Sequence, residues 1–268
     1  MEEIDVPVAG GMLRAVSWPG DGPAVIAVHG ITANALSWAA VARALAGRVR
    51  LVAPDLRGRA GSAHLPGPYG MAAHAADLIA LADHLGLDRM AMAGQSMGGF
   101  VVTETAARYP ERVSSVLLVD GGVPLAVPAG VDVDTVLHAT IGPAMQRLSM
   151  TFASAEEYLD FFRRNPALGR YWTPDMEAYI LRDFTGSGSS CNIEAIRADA
   201  RDMLTAPAAH DFPLLWAPRG LQDEAVGLYD ETRVAGLDAE QVPDVNHYTI
   251  LLGAGAERIA ERILRTLT

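Results

Sequence analysis

The sequence predicts a doubly wound α/β fold: a mostly parallel β-sheet with helices on both faces, and a helical cap inserted late in the chain. Three observations predict it. Short, near-continuous apolar runs alternate with longer helical patterns through the first half, as buried parallel strands and their crossover helices require. Residues that can carry chemistry stand directly after those runs, namely His29, Asp55, Ser96 and Asp120. Open α/β sheets bind their ligands beyond the carboxyl ends of the strands. The alternation then stops from about Pro124 to Asp211 and resumes afterwards.

Taken in order, Ala24 to Val28 reads as a buried strand ending at His29-Gly30, and Arg50 to Pro54 as another ending at Asp55. Met90 to Ala93 is a third, and Ser114 to Val119 a fourth, ending at Asp120. Between them lie helical patterns at Ser37 to Leu45, at Met71 to Leu85 before Gly86, and at Gly99 to Tyr109 before Pro110. Gly10-Gly11 and Gly20-Asp21-Gly22 read as hairpin and loop turns. No phosphate-binding strand-loop-helix follows them, so no nucleotide cofactor is expected.

Through the interruption only helices are expected. Asp132 to Met150 is one, broken near Gly142-Pro143, and Ser154 to Arg164 is another, opening on a capping box with Glu157. Thr173-Pro174 starts a third with proline at its first position, and Asn192 to Leu204 is the fourth. Strands return at Pro213 to Ala217 and, weakly, at Ala239 to Val242, and Gly255 to Leu267 closes the chain as a helix. The expected organisation is therefore a core formed by residues 1–122 and 212–268, with a cap over 123–211.

Composition bounds the function. A length of 268 residues, 50% hydrophobic and 20% charged, suits one α/β domain with an inserted lobe. A formal net charge of −11 without any basic run argues against nucleic acid or an anionic membrane as partner. All the basic side chains are arginine, which excludes lysine Schiff-base chemistry. Cys191 is the single cysteine, so neither an internal disulfide nor a cysteine-based metal site is expected. No histidine or carboxylate pair has metal-ligand spacing on one element, so no metal is expected. The acidic start Met-Glu-Glu-Ile-Asp-Val lacks an apolar signal core, and no stretch approaches the roughly 20 apolar residues of a membrane span. A cytoplasmic protein is the expectation, and the sequence leaves its oligomeric state open.

The candidate nucleophile is Ser96, in Gly94-Gln95-Ser96-Met97-Gly98 between a buried strand and a helix. The pentapeptide alone is a weak pattern; its strand-to-helix context is not. Glycines on both sides let strand and helix approach closely, and the sharp turn lifts the serine hydroxyl to the sheet edge. A serine hydroxyl needs a base, and the base needs an orienting group. Of seven histidines, His74 and His84 lie in a helical pattern, His138 in the lobe, and His64 and His210 in polar loops. His247 follows the last strand in a loop before the closing helix, from which it can reach over the sheet edge.

Together with the serine elbow, the order serine, acid, histidine resembles the α/β-hydrolase superfamily. Four further segments are similar to its motifs: His29-Gly30-Ile31-Thr32, Asp55 to Ser62, Gly220-Leu221-Gln222-Asp223, and Asn246-His247-Tyr248. Ala60 stands where many relatives have glycine. The resemblance implies the α/β-hydrolase fold and a catalytic triad of Ser96, Asp223 and His247. Asp223 has the family's usual spacing for the acid; Asp120 occupies the alternative place that some relatives use. Backbone N–H groups of Ile31 and Met97 are implied as the oxyanion hole, and His29 as a structural residue. Dehalogenase and epoxide-hydrolase activities are disfavoured, because those relatives carry aspartate where this chain has Ser96.

The lobe holds Met145, Met150, Phe152, Tyr158, Phe161, Phe162, Tyr171, Trp172 and Tyr179. At least half of these are expected to pack lobe on core, and the rest to line a pocket over Ser96. The sequence therefore points to a serine hydrolase acting on a small apolar ester, of carboxylesterase type, through an acyl-enzyme. The same residues would serve a C–C bond hydrolase or a lactonase. A silent ligand-binding protein on this scaffold is the reading from a different class.

Overall fold

A computed structural model describes residues 1–124, 135, 136, 142, 145–205 and 211–267. The chain opens with a hairpin, β1 (Glu2–Val8) and β2 (Gly11–Trp18), paired antiparallel around a turn in which Gly10 has φ of +90°. The sequence marked the turn but not its strands. β1 is an edge strand with only Val6 buried, so it carries no apolar run to announce it.

β3 (Ala24–Val28), β4 (Arg50–Pro54), β5 (Met90–Gln95), β6 (Val113–Val119), β7 (Leu214–Trp216) and β8 (Ala239–Gln241) complete an eight-stranded sheet of order β1-β2-β4-β3-β5-β6-β7-β8. β2 meets β4 antiparallel, and every pairing from β4 to β8 is parallel. The predicted doubly wound, mostly parallel architecture is therefore the observed one. From β3 the chain winds outward to β4 and then crosses back to β5 on the other side of β3. The carboxyl ends of β3 and β5 thus flank the switch point, where such sheets open a crevice.

The apolar runs are nearly continuous because both faces of the sheet are covered. Ile26, Val28, Val52, Val116 and Leu118 face α2 (Met71–His84) and α3 (Met97–Arg108). The alternate residues Val25, Ala27, Leu51, Leu117 and Val119 face α1 (Ala39–Leu45) and α7 (Gly253–Thr266). Burying each large aliphatic side chain contributes about 1.5–3 kcal/mol, so a one-residue slip of any central strand would exchange the two cores' residues.

Between β6 and β7 the described residues contain α4 (Ala155–Arg163), α5 (Pro174–Asp183) and α6 (Ile193–Thr205), and no strand of the sheet. The capping signals act as read. Ser154 accepts from the Glu157 N–H at 3.2 Å, and the Glu157 carboxylate reaches back to the Ala153 N–H at 2.6 Å. Thr173 accepts from the Met176 N–H, with Pro174 opening the helix. The helix expected over Asp132 to Met150 lies largely outside the described residues; within it, residues 145–148 are helical. Phe152, Tyr158, Leu159, Met176 and Ile180 form the lobe's own small core.

Polar ties fix the lobe to the loops at the sheet edge. Arg182, at the end of α5, donates Nε to both carboxylate oxygens of Asp55 at 3.1 and 3.0 Å and also pairs with Glu3 of β1. Asp55 is fully buried and further accepts from the N–H groups of Ala35 and Gly61. The Asn34 amide donates to the Tyr179 carbonyl at 2.8 Å. No helix among the described residues is long and apolar enough to cross a membrane.

Burial raises the Asp55 pKa despite the Arg182 charge beside it. A carboxyl with a raised folded pKa destabilises the fold as pH rises through its unfolded value of about 4, and this penalty grows when its cation is removed. Arg182→Leu is therefore expected to cost about 3 kcal/mol near pH 8. The deficit should shrink toward pH 5, where Asp55 can take up a proton. Urea unfolding at both pH values checks this, and a pH-independent deficit would refute it.

Candidate active site

Ser96 occupies the single-residue joint between β5 and α3, with φ of +56° and ψ of −122°. No β-carbon-bearing residue adopts this conformation without strain. The joint closes because Gly94 and Gly98 lack side chains: a Cβ on Gly94 would collide with the Gly98 carbonyl oxygen, and one on Gly98 with that of Val28. The Ser96 N–H donates to Val119 O at 3.0 Å and its carbonyl accepts from the Gly99 N–H at 2.9 Å, so the backbone holds the turn from both sides.

His247 lies on the loop between β8 and α7, 4% exposed. Its Nδ1 is 2.6 Å from Asp120 Oδ2. Since an ionised carboxylate only accepts, Nδ1 carries the proton and Nε2 the lone pair. Asp120 ends β6 with φ of +43°, is fully buried, and takes a second hydrogen bond at Oδ1 from the Ala217 N–H at 3.0 Å. Gln95 donates from Nε2 to the His247 carbonyl at 3.0 Å and stands 3.3 Å from His247 Nε2.

Family spacing placed the acid at Asp223, and the hydrogen bonding of His247 differs from that expectation. Asp223 does not hold the His247 ring in this structure; Asp120 does. Asp223 follows β7, and its Oδ2 accepts from Arg219 of the same loop at 2.8 Å and its Oδ1 from the Asn246 amide of the histidine loop at 3.0 Å. Asp120 lies on the strand next to β5, level with the serine joint, and His247 Nδ1 has one proton to give. Asp120 already stood among the four strand-end residues.

Asn246 shapes the histidine loop. Its side-chain oxygen accepts from the N–H groups of Tyr248 and Thr249 at 3.0 and 2.9 Å, and its amide also donates to the lobe carbonyl of Ala167 at 3.0 Å.

The two residues implied as oxyanion donors lie on separate elements, Met97 at the start of α3 and Ile31 in the loop after β3. Met97 is the first residue of α3, so its N–H has no acceptor within the helix and sits at the positive end of the helix dipole. Ile31 lines the same cavity as Ser96. Sequence reasoning overlooked Arg59, which joins them: fully buried, it donates Nε to the Ile31 carbonyl at 3.0 Å, lies against the Met97 sulfur at 3.7 Å, and pairs with buried Asp199 at 2.5 Å. The signal available was a second arginine two places after Arg57 in the loop behind β4.

His29 is structural. It is completely buried, donates Nδ1 to the Gly30 carbonyl at 2.7 Å and accepts the Leu56 N–H at Nε2, and burial pushes its pKa down to about 3. His74 is buried against Asp199, and His64 and His84 are exposed; His138 and His210 lie outside the described residues. Burial pushes the Cys191 thiol up to about 12, so it is not a thiolate nucleophile near neutral pH.

Ser96, His247 and Asp120 open into one cavity of about 470 Å³. The lobe contributes Met150, Phe161, Phe162, Met176, Tyr179 and Ile180 to its wall. Phe152 and Tyr158 instead pack within the lobe. No cluster of metal-ligating side chains occurs among the described residues.

Residues 23–172, more than half of the chain, match the model of a family described as alpha/beta hydrolase fold. An uncharacterised protein of Mycobacterium tuberculosis is 36% identical over 112 residues, covering 42% of this chain and 33% of that protein. N-formylmaleamate deformylase of Pseudomonas putida is 36% identical over 149 residues, covering 50% of this chain and 56% of that one. The chain thus spans only about a third to a half of the length of these relatives. A thermophilic esterase from Thermogutta terrifontis superposes with a TM-score of 0.65 at 22% identity, covering 100% of this chain and 98% of that one, a likeness of fold. The chain belongs to the α/β-hydrolase fold family.

Proposed function

We propose that this protein is a serine hydrolase acting on a carboxylic ester through an acyl-enzyme, with Ser96 as nucleophile, His247 as base and Asp120 as the acid. The observation that carries the reading is the strained serine joint opening into the same cavity as the buried His247–Asp120 pair. Ser96 Oγ attacks the acyl carbon while His247 Nε2 takes its proton. Asp120 holds the ring in the tautomer that leaves Nε2 free and stabilises the imidazolium that forms. The N–H groups of Met97 and Ile31 receive the negative charge developing on the substrate oxygen, each worth about 3 kcal/mol in the transition state. His247 then protonates the leaving alcohol, and water, activated by the same nitrogen, releases the acid and restores Ser96.

Residues 123–211 act as a cap on the core formed by 1–122 and 212–268. The apolar side chains that the lobe adds to the cavity wall fit a hydrocarbon acyl or aryl group beside the scissile bond. The deformylase relative acts on N-formylmaleamate, so a C–N bond is the second reading for the same residues. Lactones and C–C bonds belong in the same assay panel.

A fluorophosphonate probe is expected to label the folded protein at Ser96 and to leave Ser96→Ala unlabelled. Absence of label in the folded wild type would mark a ligand-binding protein instead. Among p-nitrophenyl esters, amides, lactones and vinylogous diketones, the esters are expected to turn over fastest.

The acid is tested by a pair of variants. Asp120→Asn should lower kcat by about 10⁴, the scale seen when a triad histidine loses its carboxylate. Asp223→Asn should remain within about tenfold of wild type, because its loss only loosens the Asn246 loop. The reverse ranking would return the role to Asp223.

A further inference from the structure

Resting on the serine-hydrolase reading, we propose that the substrate carries a carboxylate at the end remote from the scissile bond, and that Arg147 receives it. The cavity wall is mostly apolar, and Arg147 is the one cationic side chain on it among the described residues. Of the described acids on the wall, Asp183 alone pairs with it, through Nη1 at 3.5 Å. Asp120 is bound to His247, and Asp175 pairs with Arg43 outside the cavity. Asp183 is filled by neutral donors: the Tyr158 hydroxyl at 2.6 Å on Oδ2, and on Oδ1 the Ser189 hydroxyl, the Ser190 hydroxyl and the Ser190 N–H at 3.0, 2.7 and 3.1 Å.

Arg147 touches that cluster only loosely. Its Nη1 lies 3.3 Å from the Tyr158 hydroxyl and 3.5 Å from Asp183 Oδ2, against about 2.7–2.9 Å for a tight charge-assisted bond. A guanidinium has five N–H donors in a planar fork, and these two contacts both fall on Nη1. An arginine kept for an ion pair would present its fork to the carboxylate. Here the guanidinium carbon instead lies 5.2 Å from the centre of the Phe162 ring, itself a wall residue. The side chain is 11% exposed and lines the cavity, and no Arg147 nitrogen is among the buried polar atoms left without a partner, so its remaining donors are open to a cavity occupant.

Placement completes the argument. Arg147 belongs to the lobe, whereas Ser96 and His247 belong to the sheet edge. A substrate with its carbonyl at Ser96 presents its far end to the lobe wall, and a planar carboxylate suits the guanidinium fork. Apolar side chains on the same wall, Phe161, Met176 and Ile180 among others, accommodate a hydrocarbon spacer. The substrate class is therefore the half-ester of a dicarboxylic acid, or an equivalent acyl group with a free terminal acid.

The test compares p-nitrophenyl hydrogen adipate with its methyl ester, which differ only in the remote charge. Wild type should favour the anion at least tenfold in kcat/KM. Arg147→Gln should lower that preference about 30-fold, chiefly through KM, and Arg147→Lys should restore part of it. A wild-type preference for the neutral ester, or an unchanged ratio in Arg147→Gln, overturns the proposal. Calorimetry on Ser96→Ala with monomethyl and dimethyl adipate reads the same site without turnover. Arg147-dependent binding of the monoanion upholds the anion site even if Ser96 proves not to be a nucleophile. Equal binding of the two compounds overturns it.

Discussion

The left-handed backbone of Ser96 is the constraint on which the rest of the site depends. A non-glycine residue at φ of +56° is held there only if its surroundings overdetermine it. Those surroundings are β5, α3 and the end of β6, fastened by the hydrogen bonds from Ser96 to Val119 and from Gly99 to Ser96. Gly94 and Gly98 permit the approach. The strain is local, but it aims the hydroxyl out of the sheet at the switch point between β3 and β5. Beyond Gln95 and Phe100 beside it, the rest of the cavity wall arrives from elsewhere in the chain.

Much of this was legible because parallel strands buried on both faces write themselves as unbroken apolar runs. β3 and β4 stand where those runs stand, and the lobe helices begin at the Ser154 and Thr173 signals. The β1–β2 hairpin was legible only as a turn, since an edge strand with one fully buried residue has no run to show. The partner of His247 was not legible for a different reason. Spacing along the chain favoured Asp223, but which carboxylate meets His247 depends on where the long return loop folds, a tertiary fact with no local signature. The better guide was the geometric one: Asp120, like Ser96, ends a central strand.

Arg59 and Arg182 show how the lobe and the site share charges. Arg182 brings a lobe helix onto Asp55 at the end of β4. Arg59 takes its counter-ion, Asp199, from α6 of the lobe, while its other donors hold the Ile31 carbonyl. Both are pairs between buried or nearly buried groups, and each would cost several kcal/mol to leave half-made. Such pairs contribute less to net stability than hydrophobic packing of the same volume, yet they tolerate only one arrangement. That restriction suits an edge where loops from distant parts of the chain must keep their register.

The pairing of His247 with Asp120 leaves Asp223 to other partners. Asp120 is bound to Nδ1, and Asp223 engages Asn246 and Arg219. The Asn246 amide has two hydrogens: one reaches Asp223 in the core, the other the Ala167 carbonyl in the lobe. Its oxygen meanwhile fixes the turn that carries His247. A single buried amide therefore connects the loop after β7, the lobe and the base. Any shift of the lobe relative to the core must break or stretch a hydrogen bond one residue from His247, at a cost of about 1–3 kcal/mol for the group left unsatisfied. The position of the lobe and the aim of the His247 ring are tied by the same side chain, so the cavity wall and the His247–Asp120 pair cannot vary independently.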